Sequence, residues 1–166
     1  MGEGGSLTIT PDTVHLKISP DGYALWSRHF YEFSQAHTPS GFSPVPYFLL
    51  CCSIELALKG KLLVTMGTEK VRKIGHDLMK AYSFLPLTDQ SLNEAELKCL
   101  EAANAIYGKK GKVGGFHYFH IPHALKGYKE YPDLGLLTAI ARKLIYAETH
   151  NPFLNTPSSQ HARDDV

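Results

Sequence analysis

The chain has 166 residues, of which 43% are hydrophobic and 20% charged. This suits one globular domain with its own core and excludes a disordered chain. The formal net charge is +1, from 17 basic and 16 acidic residues, so overall charge does not drive nucleic-acid binding and only a local basic patch is left for that role. No apolar run approaches the length of a membrane span.

The first residues lack the basic-then-apolar pattern of a secretory signal. The three cysteines, Cys51, Cys52 and Cys99, are odd in number and two are adjacent, which is not a disulfide framework. They read as buried free thiols in a reducing compartment. A cytoplasmic protein with no membrane association is expected. Gly2 and Ser6 fit a bare myristoylation pattern, but a flexible glycine-rich lead is the favoured reading.

In chain order, residues 7–18 place Leu7, Ile9, Val14, Leu16 and Ile18 at period-two spacing, so residues 1–18 are expected to be a flexible, partly extended arm. Ser19-Pro20 opens a helix over 20–37, with Ser as the cap and Pro in the first turn. Tyr23, Leu25, Trp26, Phe30 and Phe33 make an aromatic-rich stripe at helical spacing. Ser43-Pro44 opens a second helix, which Gly67 is placed to close. Its Tyr47, Leu50, Cys51, Ile54, Leu58 and Leu62 recur at core spacing. Gly75 marks a turn before a helix at about 76–84, which Pro86 stops.

Ser91-Leu92-Asn93-Glu94 has capping-box character before a helix over about 92–107. Residues 108–115 form a basic, glycine-rich loop, and 116–132 are rich in aromatics and histidine. Asp133 caps a last helix, about 134–148. The expected layout is thus an arm (1–18), a helical domain (19–150) and a flexible polar tail (151–166). The fold class is all-α: an up-and-down bundle of about five helices with a short extended N-terminal segment.

Two segments carry a family likeness. Glu55-Leu56-Ala57-Leu58-Lys59 resembles the Glu-Leu-x-Leu-Lys core of the second helix in HEPN-like domains. Gly75-His76-Asp77-Leu78 resembles the Gly-His-Asp-Leu that opens their next helix. Lys129-Glu130-Tyr131-Pro132 resembles an aromatic-Pro segment before the final helix of related bacterial members. The resemblance implies a helical bundle, often a homodimer, that binds a nucleotide or RNA or works beside a nucleotidyltransferase-type partner protein. It implies no cofactor. Active members are metal-independent ribonucleases with a closely spaced arginine and histidine late in the domain. Here Arg72 and His76 lie too close together and too early, and Arg142 and His150 lie too far apart. A non-catalytic binding module is therefore the expected function, with ribonuclease activity from a non-standard Arg/His site as the alternative.

The polar set Glu55, Lys59, His76 and Asp77 is the most informative chemistry. An imidazole beside a carboxylate can move a proton near neutral pH. The favoured reading is structural: Asp77 caps a helix, Lys59 pairs with Glu55 one turn back, and His76 bonds to Glu55. Lys109, Lys110 and Lys112, with Phe116, Tyr118 and Phe119, are the expected nucleotide contact, since lysines and glycine amides suit phosphate and rings can stack on a base. His117, His120 and His123 carry the weaker alternative of a metal-dependent enzyme, because imidazole ligates zinc or copper. Pro122 and the absence of a fourth ligand type nearby favour an aromatic loop instead. Cys51 and Cys52 read as inert packing residues rather than nucleophiles.

Overall fold

The computed structural model describes residues 19–108 and 131–146. The expected arm, the tail and the His-rich segment lie outside them. The described residues are helical throughout, with six α-helices where about five were expected: α1 (Pro20–Ala36), α2 (Val45–Thr65), α3 (Thr68–Arg72), α4 (Leu78–Ser83), α5 (Glu94–Tyr107) and α6 (Leu134–Tyr146). A short 3-10 turn, Leu87–Asp89, joins α4 to α5. No described helix is long and apolar enough to cross a membrane.

The helix starts follow from their caps. The Ser19 hydroxyl accepts from Gly22 N, Asp77 from Lys80 N, and Asp133 Oδ1 from Leu136 N. Each side chain satisfies an amide that the first helical turn leaves without a partner. The capping box before α5 sits two residues further along than the sequence pattern suggested. Asn93 is the cap and Glu96 the returning carboxylate. Glu96 also accepts from Lys143 Nζ at 2.9 Å, which ties the start of α5 to α6.

The most apolar helix, α2, is the hub and touches each of the other five. Leu50, Ile54, Leu58 and Leu62 are fully buried in it, and Leu78, Leu100, Leu137, Ile140 and Leu144 from α4, α5 and α6 close around them. Burial of side chains this size contributes about 1.5–3 kcal/mol each. Tyr131, just before α6, packs its ring 4.8 Å from that of Tyr47 and 4.9 Å from that of Phe42.

The aromatic-rich stripe of the first helix does not face the core. Of its aromatic and leucine residues, Leu25, Trp26 and Phe33 face outward, Phe33 with 68% of its surface exposed, while Tyr23 and Phe30 are only partly buried. The residues that α1 buries are Ser27 and Ser34. The cause is the close crossing on α2. Ser27 and Ser53 donate to each other's carbonyl oxygens, both at 2.8 Å. A Cβ on Gly60 would stand 3.2 Å from Tyr23 Cβ and 3.3 Å from the Pro20 carbonyl oxygen. Two backbones this near leave room only for small residues at the crossing, so the bulky side chains of α1 turn away from it.

Candidate functional site

Midway along α2, where it passes the turn before α4, one carboxylate gathers three donors. Glu55 sits on the core side of α2 with 6% of its surface exposed. Lys59, one turn along, donates to its Oε1. Tyr107, the last residue of α5, donates its hydroxyl to Oε2 at 2.5 Å. His76 places Nδ1 3.0 Å from the same oxygen. Burial alone would raise the Glu55 carboxyl, but the bonds from Lys59, Tyr107 and His76 and the Lys59 charge outweigh it and hold the group below its usual range. Glu55 is therefore an anion at neutral pH and can only accept. His76 Nδ1 must then carry the hydrogen, which selects one tautomer of the neutral ring.

The backbone brings His76 there by two glycines. Gly75 takes φ +68°, a left-handed conformation that costs a glycine nothing in Cβ clash. Gly108, just after α5, approaches so closely that a Cβ on it would lie 2.7 Å from the His76 carbonyl oxygen. The His76 and Tyr107 rings consequently meet edge to face, with centroids 5.9 Å apart. The His76 side chain remains 55% exposed, whereas that of Glu55 is 8% exposed.

Asp77 does not join this group. Besides capping α4, its Oδ1 accepts from Asn104 Nδ2 at 3.2 Å, and Asn104 Oδ1 accepts from Leu78 N at 2.7 Å. The four-residue polar set is thus two neighbouring fasteners, one at Glu55 and one at Asp77, and both strap the turn before α4 onto α5. Tyr107 and Asn104 were not singled out from the sequence. Nothing in the spacing of Tyr107 signals where its hydroxyl goes.

Chemically, the Glu55 cluster holds charge in place more readily than it moves a proton. Its carboxylate carries no proton to give. The Tyr107 phenol is pushed far above its ordinary value by burial and by the neighbouring Glu55 carboxylate, so it stays a donor. Cys52, whose Sγ lies 3.6 Å from the Tyr107 oxygen, is raised to about 11, chiefly by burial, and is a thiol at neutral pH. Cys51 is buried and likewise raised. Neither is an activated nucleophile.

Arg72 is turned to Glu69, to whose Oε2 its Nη2 donates at 2.9 Å. Among the described residues no group of three or more His, Cys, Asp or Glu is placed to hold a metal ion. The expected nucleotide contacts Lys109, Lys110, Lys112, Phe116 and Tyr118, and the histidines His117, His120, His123 and His150, lie outside the described residues. Comparison of the chain with protein-family models, with curated proteins and with solved structures finds no match.

Proposed function

We propose that this chain is a non-catalytic, HEPN-like helical module that binds a nucleotide or RNA and works as a homodimer. The non-catalytic half is carried by one observation: the acceptor oxygens of Glu55 are occupied by Lys59, Tyr107 and His76. A carboxylate held in this way fastens three elements, and its oxygens are engaged within the fold rather than turned to a substrate. The binding half rests on the resemblance of Glu55–Lys59 and Gly75–Leu78 to the HEPN-like motifs and on the lysines and aromatic residues at 109–118.

The test is a titration of the full chain against fluorescein-labelled oligoadenylate and against ATP, beside an incubation with total RNA in chelator. The expected result is saturable binding at micromolar protein and intact RNA. Cleavage in chelator would establish the ribonuclease alternative. Stoichiometric zinc or copper, lost on His120→Ala, would establish the metal alternative.

The homodimer is supported by α1, where Leu25, Trp26 and Phe33 form an outward apolar stripe. Aromatic residues exposed together at helical spacing mark a surface that a partner covers more often than water does. A nucleotidyltransferase-type protein is the alternative occupant of that face.

A further inference from the structure

Away from the Glu55 cluster, residues of α1 and α6 line an open cavity of about 740 Å3. The cause is local sequence. Gly135, Thr138, Ala139, Arg142 and Tyr146 recur at three- and four-residue steps and share one face of α6. The first three are too small to fill the space opposite Tyr31 and Gln35 of α1. The volume lies in the range of pockets that hold small organic ligands.

Two features give the groove a chemical preference. At its rim stand two cations, Arg142 and Lys143. Lys143 is already engaged by Glu96. Arg142 is exposed and forms no hydrogen bond or ion pair with any described residue. A guanidinium presents a planar fork of donors that matches a phosphate. At the end of the groove Tyr31 and Tyr146 meet edge to face, with centroids 6.2 Å apart and planes at 83°. Tyr146 is 51% exposed. Two perpendicular rings make a corner in which a flat heterocycle can lie on one ring and abut the other.

We propose that the α1–α6 groove is the site where this chain holds a nucleotide unit, with the phosphate on Arg142 and the base against Tyr146 and Tyr31. The assignment rests on the nucleotide-binding reading above and gives it a place. The lysines and aromatic residues expected to contact a nucleotide, at 109–118, lie outside the described residues, and the groove is a second place for the same chemistry. The shared chemistry is a base with its phosphate, whether as a free nucleotide or as one residue of single-stranded RNA. Stacking on an aromatic ring and a phosphate contact to arginine are both tolerant of base identity, so little sequence preference is expected.

The test is anisotropy and calorimetry on the full chain at low salt, with oligoadenylate and ATP as separate probes. Arg142→Glu should weaken binding by at least about ten-fold, through lost attraction and added repulsion. Tyr146→Ala should weaken it by about ten-fold. Arg72→Glu, an equal charge change on α3, should stay within about two-fold, since uniform loss of positive charge is then not the cause. All three positions are exposed, and thermal melts of each variant verify that the fold persists. Binding of ATP alone would assign a free nucleotide, and binding of oligoadenylate with weak competition by ATP would assign RNA. If the wild-type chain binds either probe but Arg142→Glu and Tyr146→Ala bind as well as wild type, the groove is not the site and the nucleotide reading stands. If the wild-type chain binds neither probe, that reading fails and the groove assignment fails with it.

Discussion

Replacing Glu55 with alanine should lower the melting temperature by roughly 5–15 °C, corresponding to about 2–4 kcal/mol in a domain of this size. The change strands three donors at once. The Tyr107 hydroxyl is in a buried bond, and Lys59 has only 12% of its side chain exposed, so water replaces the carboxylate poorly there. His76 is exposed enough to rehydrate and contributes less.

Glu55→Gln should cost about half as much, because an amide oxygen still accepts while the charge and one acceptor are lost. The two variants also differ in pH dependence. The folded Glu55 carboxyl is held below its ordinary value of about 4.3. Its stabilisation is therefore complete above that value and lost as pH falls through the lower folded value. The gap between wild type and Glu55→Gln should be full at pH 7 and close in the acid range below about pH 4. Glu96, also held low because bonds from Asn93 and Lys143 outweigh its burial, adds to the acid sensitivity of both proteins and cancels in the difference. A gap that persists unchanged at pH 3 would show that the Glu55 charge contributes nothing.

The second large effect is on assembly. Light scattering at micromolar concentration should find wild-type protein at about twice the 18.4 kDa chain mass. Phe33→Glu should return it to the single-chain mass with its helical content intact. Phe33 is the most exposed of the α1 stripe, at 68%, so a charge there does not disturb the core of the single chain. Buried at the centre of an interface, the same charge would be desolvated without a partner, which costs several kcal/mol. Only an 18.4 kDa species in the wild type would remove the homodimer and leave the stripe to another partner.

Much of the helical layout is legible because its start signals are chemical. Ser19-Pro20, Asp77 and Asp133 each announce a cap by residue type alone, and each accepts the expected amide. The core face of α2 is legible because Leu50, Ile54, Leu58 and Leu62 repeat at helical spacing on a helix surrounded by partners. The orientation of α1 is not. Periodicity locates a face of bulky apolar residues, but Ser27, Ser53 and Gly60 decide which face meets α2, and reading them requires knowing that the two backbones approach closely. The five residues of α3 are too few to show any period.

At the polar site, the Glu55–Lys59 pair follows from four-residue spacing, and the His76 contact from the helix packing that the family resemblance implies. Tyr107 escaped because an aromatic residue in an apolar stripe carries no sign of where its hydroxyl points. Its partner is 52 residues away in the chain.

The Glu55 cluster is proposed to fasten the fold rather than to carry chemistry. A single variant, His76→Ala, tests it most directly when its thermal melt and its behaviour toward RNA are measured on the same preparation. The cluster as described predicts a melting temperature lower by several degrees, consistent with loss of a bond worth about 1–2 kcal/mol to a charged acceptor. It also predicts that oligoadenylate binding changes only in step with stability and that total RNA stays intact before and after the substitution. An unchanged melting temperature together with the loss of an RNA-cleaving or nucleotide-binding activity would contradict it and place His76 in a working site.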